Sequence, residues 1–121
     1  MPCFQLKMTM QVNIGAEIMQ FVLIIHEVED YTSWKKIFDD AADIRREAGE
    51  RWYQVLQDKN NPNKVVHFSS WTSLDNAKQF FESPKLAQIR AKAGVKSPEF
   101  LYLNQLEAGT LCSNVYSYLD Y

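Results

Sequence analysis

The chain has 121 residues, 46% of them hydrophobic, which is enough for one core and too little for two. Thirteen basic against fifteen acidic residues leave a formal net charge of −2, so no general electrostatic attraction to nucleic acid or an anionic membrane is expected. No apolar run approaches the ~20 residues that span a bilayer, and residues 1–18 hold no continuous apolar segment, so a cytoplasmic location is expected.

Residues 1–18 are mixed in polarity without a clear period and read as an N-terminal extension. From Gln20 to Glu29, QFVLIIHEVE is rich in β-branched and aromatic residues. Its unbroken apolar run Phe21 to Ile25 suits a central strand buried on both sides. Asp30 and Thr32 are N-cap candidates, and Trp34, Ile37, Phe38, Ala41, Ile44 and Ala48 then recur at helical spacing until Gly49 stops the helix. Lys35 and Asp39, like Lys36 and Asp40, stand four apart, so the charged side of this helix reads as a solvated face. Arg51 to Asp58 is the second strand, an edge by its irregular alternation. The turn formers Lys59 to Asn63 predict a long loop leading to a third strand, Lys64 to Trp71.

Thr72 and Asp75 resemble a capping box, and Leu74, Ala77, Phe80 and Phe81 form the stripe of the next helix. Ser83-Pro84 breaks and restarts that helix, which carries Leu86, Ile89 and Ala93 inward before Gly94 ends it. Pro98 opens the fourth strand, Glu99 to Glu107, and the tail beyond Gly109 is apolar enough to pack on a partner subunit. The expected division is therefore an extension at 1–18, a folded domain at 19–111 and a tail at 112–121. Cys3 and Cys112 lie near opposite ends and outside CxxC spacing, which predicts two free thiols, with a terminal disulfide as the alternative.

The order βαββαβ predicts an α+β, ferredoxin-like sandwich: a four-stranded antiparallel sheet with two helices on one face. Because three of the four strands are apolar on both alternating faces and two helices cover only one, a homodimer is expected. The first and third strands lie side by side at the centre, so residues of matching parity share a face. Placing the purely apolar sets under the helices groups His26, His67, Ser69 and Trp71 on the uncovered face. Phe100, Tyr102 and Asn104 join them there, while Leu101 and Leu103 fall on the helix side. Such an apolar surface with a few convergent polar groups suits a small-molecule site. His26 and His67 are the only histidines and could do acid-base work near neutral pH, or be satisfied core residues. A metal would need a third ligand, and Glu27 points the other way, so no metal is expected. Trp71 and Tyr102 could stack on a planar aromatic molecule or pack an interface. Lys85, Arg90, Lys92 and Lys96 read as a solvated helix face, with steering of an anionic substrate as the alternative, and Trp34, Phe38, Phe80 and Phe81 read as core.

The helix opening Tyr31-Thr-Ser-Trp34, the loop Asp58 to Lys64, the stretch Phe68-Ser-Ser-Trp71-Thr-Ser-Leu-Asp-Asn-Ala77, the Phe81-Glu-Ser-Pro84 break and the Ala93-Gly-Val95 exit resemble the dimeric α+β barrel superfamily. Within it they are most similar to proteins grouped with the antibiotic biosynthesis monooxygenases and small polyketide cyclases, from Met19 to Leu111. The superfamily includes cofactor-independent monooxygenases of phenolic polyketides, aromatase/cyclases, lactone isomerases, haem-degrading oxygenases and proteins with no known activity. Its oxygenases place an Asn, a Trp and aromatic hydroxyls in the cavity, roles open here to Asn104, Trp71 and Tyr102. The resemblance implies a homodimeric, cofactor-independent monooxygenase of a phenolic or polyketide-like substrate. In that reading His26 and His67 are catalytic, and Ser69, Trp71, Tyr102 and Asn104 bind substrate. A cyclase or isomerase using a cavity histidine, and a non-enzymatic stress-related or interaction dimer, are the alternatives.

Overall fold

A computed structural model describes residues 19–112, of which Met19–Asn104 form one compact unit. The expectations for the extension at 1–18 and for the apolar tail from 113 onward lie outside the described residues. Cys112 is not a free thiol, contrary to the expectation of two free cysteines.

The elements in chain order are β1 (Gln20–Val28), α1 (Tyr31–Asp40), α2 (Ala42–Ala48), β2 (Glu50–Asp58), β3 (Asn61–Trp71), α3 (Leu74–Phe81), α4 (Pro84–Lys92) and β4 (Val95–Asn104). The strands form one antiparallel sheet in the order β2-β3-β1-β4, the ferredoxin-like arrangement expected from the sequence. Asp30 caps α1 by accepting from the Ser33 N–H at 2.9 Å. Ser83 caps α4 from the Leu86 N–H at 3.2 Å, with Pro84 in the first turn as anticipated. For α3 the cap is Ser73, bonded to the Asn76 N–H at 3.0 Å, and not Thr72.

Three boundaries depart from the sequence pattern. The first helix breaks at Ala41, whose φ of −88° and ψ of 5° leave the helical region, so two helices stand where one was expected. The β2–β3 connection is a two-residue turn at Lys59 and Asn60. Asp58 Oδ1 accepts from the Asn60 N–H at 2.7 Å, and the register jump between Gln57↔Val65 and Asp58↔Asn61 absorbs the turn formers as a bulge inside β3. Finally, β4 ends at Asn104, not Glu107, because Asn104 pairs with Gln20, the first residue of β1, and the ladder has no partner beyond it. Pro98 sits inside β4, which is tolerable because β4 is an edge strand.

The parity grouping matches the sequence reading, but the covered side is reversed. Val22, Ile24, His26, Val28, Val65, His67, Ser69 and Trp71 are all buried on the face that carries the helices. There they meet Trp34 and Phe38 from α1 and Ala77 and Phe81 from α3, with Phe100 and Tyr102 of β4 on the same side. Phe21, Leu23, Ile25, Val66, Phe68, Leu101 and Leu103 alternate onto the opposite face, which no helix among the described residues covers. Phe21 stacks on Phe68 with centroids 5.1 Å apart, and Trp52 packs edge-on against Phe68 at 5.6 Å. This open face is strongly apolar: Trp52, Leu56, Leu101 and Leu103 are 36–48% exposed.

Gly49 joins α2 to β2 with φ +124°, where a Cβ would stand 2.5 Å from Thr72 Oγ1. Its carbonyl accepts from the Thr72 N–H at 2.9 Å, so this turn is clamped directly to the end of β3. Replacing Gly49 with Ala is expected to cost about 2 kcal/mol or more from backbone strain and crowding. Urea denaturation of Gly49→Ala beside the wild type measures it.

Candidate functional site

A cavity of about 60 Å³ lies between the helices and the covered face of the sheet. Its lining is mostly aromatic and aliphatic, including Ile24, Trp34, Phe38, Phe81 and Phe100, with four basic side chains among them: His26, Arg45, His67 and Arg90. Every helix and three of the four strands contribute a wall, so the fold itself positions the groups.

The polar centre is a buried chain of three side chains. His67 Nε2 lies 2.8 Å from Glu50 Oε2, and Arg45 donates from a terminal nitrogen to Glu50 Oε1 at 2.8 Å. A second Arg45 nitrogen donates to the Phe38 carbonyl at 3.1 Å, and the guanidinium lies 3.8 Å from the Phe38 ring centroid. All three side chains are at most 7% exposed. Charges this deep persist only when paired, since the desolvation cost is several kcal/mol per ion. Arg45 Nε nonetheless has no protein partner.

His26 comes from β1, diagonally across the ladder from His67. Burial first, and then the neighbouring His67 and Arg90, lower its pKa from 6.5 to about 4, against a backbone hydrogen bond to Val65 that acts the other way. At neutral pH it is an uncharged imidazole, and its buried Nδ1 has no protein partner. Arg90, on α4, donates to the Phe81 carbonyl at 2.8 Å and lies 5.1 Å from the Phe100 ring centroid. Partial burial lowers its pKa, opposed by the nearby Tyr102.

Of the residues singled out from sequence, His26 and His67 line the cavity together. Ser69 and Trp71 are buried on the same face, and the Trp71 indole donates to Ser69 Oγ at 2.8 Å, but neither lines the cavity. Tyr102 reaches Glu82 at a long 3.4 Å, and burial, then Glu82, push its phenol up to about 12. Asn104 lies at the exposed strand end and accepts from Gln20 Nε2 at 2.8 Å. Neither of these two residues lines the cavity. Arg45 and Glu50 were not expected here, and Arg90, read as part of a solvated helix face with substrate steering as the alternative, lines the cavity. Arg45 stands seven residues after Phe38 and four after Ala41, on the apolar stripe, and that placement was the available signal. Among the described residues no cluster of His, Cys, Asp and Glu fits a metal ion, and no helix is long and apolar enough to cross a membrane.

The sequence matches the antibiotic biosynthesis monooxygenase family over residues 29–92, just over half of the chain, and the chain belongs to that family. Among solved structures it is similar to an antibiotic biosynthesis monooxygenase family protein of Caulobacter crescentus, with a TM-score of 0.60 and 20% identity over 80% of this chain and 98% of that one. It is also similar to SnoaB, a cofactor-independent oxygenase of Streptomyces nogalater, with a TM-score of 0.59 and 16% identity over 79% and 98%. Rv0793 of Mycobacterium tuberculosis matches with a TM-score of 0.56 and 16% identity over 75% and 99%. At these identities the likeness carries the fold. No curated protein matches the chain in sequence.

The depressed pKa of His26 makes stability depend on pH. The unfolded imidazole takes a proton near pH 6.5 and the folded one only near 4, so the unfolded state binds more protons between these values. The stability that His26 lends is complete above pH 6.5 and is lost as the pH falls toward 4, by about 3 kcal/mol at most. His26→Leu is expected to flatten that part of the profile, read by urea denaturation at fixed protein concentration between pH 7 and pH 4.5.

Proposed function

We propose that this member of the antibiotic biosynthesis monooxygenase family is a homodimeric, cofactor-independent oxygenase that takes a phenolic or polyketide-like substrate into the helix-covered cavity. The observation that carries this reading is the company the histidines keep. Two imidazoles and two guanidiniums converge on an otherwise apolar cavity whose aromatic rings can stack on a planar substrate. Proton removal by a cavity histidine turns a phenol-activated CH₂ into an electron-rich carbanion. That anion reacts with dioxygen; one oxygen atom becomes a new carbonyl and the other leaves as water, with the four electrons supplied by the CH₂ carbon. Arg90 stands where it can offset negative charge on the substrate. Substrate contacts fall to Trp34, Phe38 and Phe100 in this reading, while Ser69 and Trp71 brace the sheet beneath the cavity and Tyr102 and Asn104 stand outside it.

A tricyclic phenol needs more room than about 60 Å³, since ligand pockets start at about 300 Å³. Binding therefore displaces the half-buried side chains of Phe80, Ile89 and Phe100. The small volume is also what a non-enzymatic binding dimer would show, and a cyclase or isomerase would use the same proton transfer without oxygen. The homodimer rests on the open face, whose Phe21, Trp52 and Phe68 cluster is the kind of surface that a second copy covers.

Incubating the protein with an anthrone-type phenol under ¹⁸O₂ and in parallel under nitrogen separates these readings by mass spectrometry. We expect ¹⁸O in the product at least ~10-fold above the protein-free rate, none under nitrogen, and loss of turnover in His26→Ala/His67→Ala. Product formed under nitrogen would establish the cyclase or isomerase instead, and no product in either arm the binding dimer. For the assembly, light scattering should give a dimer for the wild type and a folded monomer for Phe68→Asp; a wild-type monomer at micromolar concentration refutes the homodimer.

A further inference from the structure

We infer that Arg45 and Glu50 are positioning residues that fix the tautomer of His67 and so make His67, rather than His26, the base of the cavity. This rests on the cavity being a reaction site, as proposed above, but its structural half stands apart from any activity. Both oxygens of Glu50 are engaged, one by Arg45 and the other by His67 Nε2, each at 2.8 Å. A carboxylate in an ion pair only accepts, so the proton in the second contact belongs to Nε2. In the neutral ring the lone pair is then on Nδ1, the nitrogen that Glu50 does not engage, and His67 is one of the residues that line the cavity.

Arg45 immobilises this arrangement from two directions. One nitrogen holds Glu50; another holds the backbone of Phe38, whose ring packs edge-on against His67 at 4.9 Å and lies under the Arg45 guanidinium. A proton moving from substrate to His67 Nδ1 leaves an imidazolium that Glu50 faces directly, and the substrate anion formed in the same step balances the charge that the Arg45–Glu50 pair does not. His26 has no such support. It faces His67 and Arg90, both cationic or able to become so, has no carboxylate beside it, and has its pKa pushed down to about 4. The ionisable groups around His67 are Glu50 and Tyr53 from β2, Arg45 from α2, and His26 from β1. Of these Glu50 is the one carboxylate, and it stands against the Nε2 side of the ring.

Glu50→Gln in the full chain tests this. The glutamine oxygen can still accept from Arg45, but its amide must then donate to His67 Nε2, which forces the proton onto Nδ1 and removes the base from the cavity. Nitrogen-15 NMR of the imidazoles, read without substrate, should show His67 as the Nε2–H tautomer in the wild type and as Nδ1–H in Glu50→Gln. With the phenolic substrate, kcat should fall about 10³-fold in Glu50→Gln with KM changed by less than about threefold, a loss larger than that of His26→Gln. Should Glu50→Gln not fold, Arg45→Lys serves, since it keeps a cation on Glu50 but loses the Phe38 anchor. It should retain the Nε2–H tautomer with kcat reduced about 10-fold.

An Nδ1–H tautomer in the wild type, or one unchanged by Glu50→Gln, overturns the positioning role whatever the activity. A loss in His26→Gln equal to or above that of Glu50→Gln overturns the choice of base. If the tautomers behave as expected and the wild type turns over no substrate, His67 as a base falls together with the oxygenase reading, while the held tautomer stands.

Discussion

The Glu50 carboxylate, clasped between the Arg45 guanidinium and the His67 imidazole, is the interaction on which the rest of this molecule depends. It joins α2, β2 and β3 inside the core at distances of 2.8 Å, with none of the three side chains more than 7% exposed. Removing one member of such a set leaves a buried charge alone, at a cost of about 3–5 kcal/mol. The set can form only because Glu50 follows directly on Gly49, whose left-handed backbone turns the chain out of α2 and into the strand beside His67. One glycine thus places the carboxylate, and the carboxylate in turn holds the arginine and the histidine.

The sheet around this centre has two apolar faces, and that is why its orientation could not be read from alternation. Which residues share a face followed from the period of two and from the pairing of the first and third strands, and every grouping agrees with the register. Choosing the face was a different problem. Polarity argued for turning His26, His67 and Ser69 away from the helices, but each central strand offers a full apolar set on its other side. The balance was tipped by partners that alternation does not contain: Trp71 for Ser69, and Glu50 with Arg45 for His67. A polar residue with a partner inside the core is no longer a marker of the surface.

The residues behind the family likeness were legible because they make the joints of the fold. Trp34 and Trp71 are buried, Ser83 caps α4 ahead of Pro84, and Gly94 takes φ +76° where the chain returns to the sheet. The charged members of the cavity were hidden by their own chemistry. Arg45 continues the stripe of Phe38 and Ala41, and Arg90 follows Leu86 by four, so both occupy inward positions by spacing and outward ones by type. Spacing won in each case, because the long side chain could reach a carbonyl: Phe38 for Arg45 and Phe81 for Arg90.

The distribution of polarity is therefore the reverse of what stability alone would select. Replacing a buried ion set by apolar side chains of similar volume is often neutral or stabilising by about 1–4 kcal/mol, and each polar atom left without a partner costs about 1–3 kcal/mol. Here two such atoms, His26 Nδ1 and Arg45 Nε, belong to side chains that line the same cavity as His67 and Arg90. Meanwhile the face with no helix over it among the described residues, where polar groups would cost little, is built from Phe21, Phe68, Leu101 and Leu103. A core selected for packing would have exchanged the two. Unsatisfied nitrogen thus sits inside and aromatic carbon outside, an arrangement that fits the proposed substrate in the cavity and the proposed second copy on the sheet. The same ion set that makes the interior costly also holds the His67 ring through its Nε2, so the energetic burden and the proposed chemistry have one source.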